Sequence, residues 1–82
     1  MLGKQKTPVD VAFGLVLRRA RKEAKLSQEA LALEADLQRN YISLIELGIN
    51  QPTITTIFKL AGALKIKPNE LISLVEQEMR VK

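Results

Sequence analysis

The spacing of apolar residues between Ser27 and Gly48 constrains this chain more than any other feature. In the run SQEALALEADLQRNYISLIELG, counted from Gln28, apolar side chains fall at the fourth, eighth, tenth, fifteenth and eighteenth positions: Leu31, Ala35, Leu37, Ile42 and Ile45. That pattern puts one buried stripe on a short helix, then a break, then a second buried stripe on another helix. The fifth position is Ala32, small enough for the helices to approach where a larger side chain would wedge them apart. Asp36 stands at the break, a residue type that tolerates the left-handed backbone of a tight interhelical turn. Two short helices crossing steeply through such a turn make a helix-turn-helix, whose second helix is free to enter a DNA groove. The spacing points to nucleic acid.

The 3.6-residue period continues through the rest of the chain, with almost no alternating stretches. Residues 1–7 carry no pattern and are expected to form a loose, flexible arm, with residues 8–82 making a single domain. Thr7-Pro8-Val9-Asp10 reads as a helix start: a hydroxyl cap, proline at the first helical position and a carboxylate in the first turn. That helix is expected to run to about Ala24, to bury Val9, Phe13, Val16, Leu17, Ala20 and Ala24, and to end at Lys25. Ser27 caps a second helix that ends near Ala35, with Leu26 and Leu31 as a hydrophobic staple. Leu37 and Ile42 form a second staple around Gln38, which opens the third helix, and Gly48 ends it with a positive φ. Thr53 caps a fourth helix with an expected inner face of Ile57, Phe58, Ala61 and Leu64. Pro68 opens a fifth, carrying Glu70 in its first turn and Leu71, Ile72, Leu74, Val75 and Met79 as its apolar residues. The expected fold class is all-α, a compact five-helix domain.

Composition narrows the function. With 82 residues, the chain is expected to make one domain and little else, leaving no room for a separate effector domain and no expected small-molecule ligand. No stretch approaches the roughly 20 apolar residues that span a bilayer, so no membrane association is expected. The lysines near the N-terminus have no apolar run behind them of the kind a secretory signal needs. There is no cysteine, hence no disulfide and no thiolate metal site, and a cytoplasmic setting is the expectation. There is also no histidine, which removes the common nucleophile–base pairs and zinc sites. The nine acidic residues form no tight cluster, so neither an enzyme, a metal site nor a cofactor is expected. The formal charge is +4, and Arg18, Arg19, Arg21, Lys22 and Lys25 fall in one short stretch opposed only by Glu23. Such a patch raises local affinity for phosphate, although alone it also describes an ordinary solvated helix face.

LSQEALALEADLQRNYISLIELG, the cap at Thr53 and the sequence LAGALKIKPNEL together resemble the Cro/CI-type, or XRE-family, helix-turn-helix domain. RNYIS followed by a glutamate resembles the controller proteins of restriction–modification systems more than the phage repressors of that family. The resemblance implies a lambda-repressor-like fold with the second motif helix in the major groove. It implies that Gln28 hydrogen-bonds a backbone phosphate, and that Gln38, Arg39, Asn40 and Ser43 project toward base edges or flanking phosphates. Arg39 suits a bidentate contact to guanine, because its fork matches the two acceptors on that base. Tyr41 would reach phosphate with its hydroxyl or else cover the edge of the core, and Asn50 and Gln51 would add phosphate contacts. Arg21 and Glu46 match a pair that forms a partly buried salt bridge in relatives. Three positions depart from the family: Asp36 where glycine or asparagine is common, Leu47 where a basic or polar residue is common, and Leu44 on the groove side.

Leu74, Val75 and Met79 extend the apolar surface of the fifth helix beyond what closing a core requires. They either fold back over their own domain or form a two-fold dimerisation seam, and the second arrangement would set two recognition helices about 34 Å apart. The reading is therefore a sequence-specific double-stranded DNA-binding transcriptional regulator, a homodimer on a pseudo-palindromic operator. The alternative is a protein-interaction module of the antitoxin or coactivator kind, in which Leu44, Leu47 and Ile49 would form an apolar docking patch.

Overall fold

A computed structural model describes residues 8–80, so the expected arm at residues 1–7, with its Thr7 cap, lies outside the described residues. The described residues form α1 (Val9–Glu23), α2 (Gln28–Ala35), α3 (Arg39–Glu46), α4 (Ile54–Leu64) and α5 (Pro68–Arg80), with no strand among them. The helix starts follow the hydroxyl signals. The Ser27 hydroxyl accepts from the Ala30 amide at 3.0 Å and the Thr53 hydroxyl from the Thr56 amide at 3.1 Å, each satisfying a donor the helix cannot reach itself. At α5 a side chain reaches backwards: Glu70 accepts from the Lys67 amide at 3.1 Å. Pro8 sits just before α1 rather than inside it, its carbonyl accepting from Ala12 at 2.9 Å.

The first four helices stop in the same way. Each is followed by a residue with positive φ: Lys25 at 62°, Asp36 at 58°, Gly48 at 79° and Lys65 at 62°. In each case the next amide reaches back five residues, Leu26 to Arg21 (3.1 Å), Leu37 to Ala32 (2.8 Å), Ile49 to Leu44 (3.0 Å) and Ile66 to Ala61 (3.0 Å). This is the Schellman closure, which usually carries an apolar residue after the left-handed one to cover the helix end. Leu26, Leu37 and Ile66 do so and pack on the core. Ile49 does not; it is 65% exposed.

Leu17, Leu31, Ile42, Ile45, Leu60 and Leu71 are completely buried, so every helix contributes a large side chain to one core. α1 packs against α3 and α5, α2 against α3 and α4, and α4 against α5. The third helix is thus backed from two sides, and only its outer face is left to solvent. Ala32 is buried, as its place at the motif's crossing requires.

Two expected inner faces are corrected. α1 turns Ala12, Phe13, Val16 and Leu17 inward, while Val9, in its first turn, is 49% exposed and Ala24 lies beyond its last turn in the open. Both keep the helical spacing of the inward stripe but stand at the ends of α1, Val9 in its first turn and Ala24 just past its last. Gly14 marks the contact with α3: a Cβ there would lie 2.5 Å from the Ile45 carbonyl oxygen and 2.7 Å from that of Glu46, so α1 meets the end of α3 backbone to backbone. On α4, Phe58 is 61% exposed and Leu60 is buried in its place. The inward row is Ile57, Leu60, Ala61 and Leu64, spaced by three and four, and Phe58 falls about 100° away from Ile57 on the neighbouring face. On α5, Leu71 and Val75 are buried, whereas Ile72 and Leu74 remain largely exposed.

Candidate nucleic-acid interface

The outer face of α3 begins with Gln38, Arg39 and Asn40, all exposed, and continues to Ser43, which is half-buried. No side chain caps the start of this helix. Its opposite face, Ile42 and Ile45, is anchored in the core without residual exposure. A short helix held this way presents its polar residues from a fixed platform. Asn50, half-buried, and Gln51, exposed, lie in the loop between α3 and α4.

Behind the platform, Arg21 on α1 and Glu46 at the end of α3 form a two-pronged ion pair. Arg21 Nε donates to Glu46 Oε2 at 2.6 Å, and Nη2 donates to Oε1 at 3.0 Å. The third prong, Nη1, donates to the Leu26 carbonyl at 2.9 Å, which ties the α1–α2 connection, just before the Ser27 cap, to the same guanidinium. The side chains are 10% and 4% exposed. The hydrogen bond to Glu46 raises the Arg21 pKa above its ordinary value, outweighing the opposing effect of burial. The pair expected from the sequence is present.

Gln28 is not free, as a bare phosphate contact would be: its Nε2 donates to Glu46 Oε1 at 3.0 Å. Tyr41 turns toward its own core edge, its hydroxyl 3.5 Å from that of Thr56, and the Thr53 hydroxyl donates to Thr56 Oγ1 at 3.0 Å. Tyr41 is partly buried against the core, with its hydroxyl at the core edge. Val75 is likewise absorbed by its own core and Met79 packs partly against it, leaving Leu74 as the openly exposed member of the expected seam. Asp36 is 98% exposed at the interhelical turn, with Lys59 Nζ 4.0 Å from its carboxylate. Leu44 is half-buried, and Leu47 is exposed.

An open notch of about 250 Å³ lies beside α3, lined by Arg18, Arg21, Gln28, Ser43, Glu46 and Leu47. From the sequence Arg18 is one member of a basic stretch that either attracts phosphate or is an ordinary solvated face. The available signal was its place one helical turn before Arg21, which puts both on one side of α1.

The geometry has counterparts of known kind. A family model described as helix-turn-helix matches residues 17–71. The chain belongs to this family. It is 38% identical over 71 residues to the control protein C.MunI of a Mycoplasma species, covering 85% of this chain and 96% of that one. It is also 38% identical over 65 residues to the control protein C.BamHI of Bacillus amyloliquefaciens, covering 78% and 80%. The crystal structure of the restriction-modification controller protein C.AhdI from Aeromonas hydrophila superposes with a TM-score of 0.72 at 44% identity, covering 74% of this chain and 92% of the other. The helix-turn-helix domain here is therefore of the XRE type and homologous to restriction–modification controller proteins, a family of DNA-binding transcriptional regulators.

Proposed function

We propose that this helix-turn-helix protein binds double-stranded DNA sequence-specifically as a homodimer, reading a pseudo-palindromic operator with α3 in the major groove. The observation that carries the reading is the two-sidedness of α3: Ile42 and Ile45 are fully buried, while Gln38, Arg39 and Asn40 stand free on the outside. Affinity comes largely from phosphate neutralisation and falls steeply with salt. Specificity comes from the exposed polar row, with Arg39 contacting guanine. Replacing Arg39 by alanine costs about 1–3 kcal/mol on the preferred duplex and relaxes selectivity at one base position.

The dimer seam in this reading is the outer face of α4. Ile54 is 71% exposed and Phe58 lies one turn later on the same side; a lone protomer would leave both in water. The protein acts as a binder, without catalysis, cofactor or small-molecule ligand, in a cytoplasmic setting. None of its described helices is long and apolar enough to cross a membrane.

The test is selection from a pool of random duplex DNA at near-physiological salt, followed by sequencing of the retained duplexes. An enriched inverted repeat with half-sites about one helical turn apart establishes operator and dimer together. Retention without an enriched motif would reduce the protein to a general DNA binder. No retention would overturn the reading in favour of a protein partner docked on Leu47 and Ile49.

A further inference from the structure

An apolar cleft of about 400 Å³ opens between the start of α1, the α3–α4 loop, α4 and α5. Phe13, Ile57 and Val75 line it as buried residues, whereas Val9 and Ile72 line it and stay exposed. Its charged lining groups are both acidic, Asp10 on α1 and Glu76 on α5. Among the described residues neither carboxylate is in an ion pair. A cleft of this kind suits an occupant with an apolar side chain and positive charge beside it.

Residues 1–7, MLGKQKT, have that composition. They join the described chain at Pro8, whose φ of −59° and ψ of 151° are extended. The next two residues, Val9 and Asp10, already line the cleft. In an extended chain alternate side chains share a face, so Leu2, Lys4 and Lys6 fall together. Six extended residues reach about 20 Å, more than a cleft of this volume is wide. Closing so short a tether costs little entropy, because the cost grows only with the logarithm of its length. Burying one leucine together with the exposed surface of Val9 and Ile72 offsets it. Lysine–carboxylate contacts at the surface add little affinity and serve to set which way the segment lies.

We propose that residues 1–7 fold back over this cleft, with Leu2 seated against Val9 and Ile72 and with Lys4 and Lys6 along the edge formed by Asp10 and Glu76. The segment is then a strap that joins the start of α1 to α5, in place of the loose arm expected from its lack of a helical period. Its lysines meet the protein's own carboxylates and not DNA phosphates. Gln51 and Pro52 line the same cleft, so the seated leucine also supports the α3–α4 loop. The strap stands independently of the DNA-binding reading.

The chain has no cysteine, so introduced cysteine pairs report proximity without background. Leu2→Cys is combined with Ile72→Cys and, as a control, with Leu33→Cys on α2, which lines no part of the cleft. Ile72 and Leu33 are exposed, so the replacements leave the core intact. A disulfide needs Cα atoms within about 7 Å. Under mild oxidation the pair at positions 2 and 72 should therefore close within one molecule about tenfold faster than the control. Lys4→Glu with Lys6→Glu should slow that closure, most clearly at low salt. A second measurement needs no cysteine. Leu2→Ser should lower the denaturant midpoint, and the loss should disappear in an Ile72→Ser background, because the two residues share one contact.

Equal closure rates for the two pairs overturn the strap, as does an unchanged midpoint for Leu2→Ser or a loss that persists in full beside Ile72→Ser. Disulfides that form only between molecules put a second copy in the cleft and overturn it too. If Lys4→Ala with Lys6→Ala lowers the slope of log DNA affinity against log salt by about two, the lysines lie on phosphates and the strap is wrong.

Discussion

The junction between α1 and α3 and the outer face of α4 are built on opposite rules. At the junction the contact is close and the buried polar atoms are partnered. Gly14 brings backbone against backbone, and Arg21 and Glu46 close the remaining gap with their polar atoms partnered. On α4, Ile54 and Phe58 stand mostly in solvent, and Gly62, on the same helix, has nothing within 4 Å of where a Cβ would be. The helix ends repeat the contrast: Leu26, Leu37 and Ile66 cover theirs, and Ile49, just after α3, leaves its own bare. The difference separates two tasks. The first region holds α3 rigid at the angle the core dictates, and the second is apolar surface whose burial requires another molecule.

Arg21→Ala should break the comparison most severely. It leaves Glu46 nearly buried without its cation, and the expected loss is about 3–5 kcal/mol in denaturant unfolding. A loss below about 1 kcal/mol would show that water reaches the carboxylate and that the junction is looser than its geometry.

Gly14→Ala comes next. The added methyl must push the end of α3 away from α1, at a cost of about 2–3 kcal/mol of the kind that overpacked cores show. An unchanged midpoint would mean that the two helices slide apart freely.

Phe58→Lys sharpens the other side. It should weaken self-association by about 2 kcal/mol in sedimentation equilibrium, the scale of an interface anchor. At concentrations where the protein is monomeric, unfolding should move by no more than about 0.5 kcal/mol. If Leu74→Lys has that effect and Phe58→Lys does not, the seam lies on α5 instead.

The smallest effect has the opposite sign. Gly62→Ala removes a flexible residue from a helix interior with free space around it, and should stabilise by about 0.5–1 kcal/mol. Any loss there would show that the α4 surface is already in contact with something.

Much of this molecule was legible before its structure. Ser27 and Thr53 announced their helices, since a hydroxyl before a periodic apolar run has one efficient use. The turn at Asp36 and the stop at Gly48 could be read because few residues adopt positive φ cheaply. Lys65 takes the same conformation with no such signal, and only the apolar Ile66 after it hints at the closure. Phe58 looks inward from the sequence because it adjoins an inward row and no partner surface is in view, yet it is exposed. Val75 suits a seam or the core equally by its periodicity, and the fold buries it. For the candidate site, the exposed row from Gln38 to Asn40 was foreseen, but the partners of Gln28 and Tyr41 and the place of Arg18 were not. Those depend on residues 15 to 18 positions away in sequence or on another helix.

The sequence by itself determined five helices, where most of them begin and end, and the family, because caps, turns and apolar period are written in neighbouring residues and act over a few ångströms. Only the tertiary structure decided that Gly14 is where α1 and α3 touch, that Glu46 serves Arg21 and Gln28 together, and that Ile54 and Phe58 are left outside. Helix crossing angles are set by the packing of all five helices at once, and no local window of the chain contains that information.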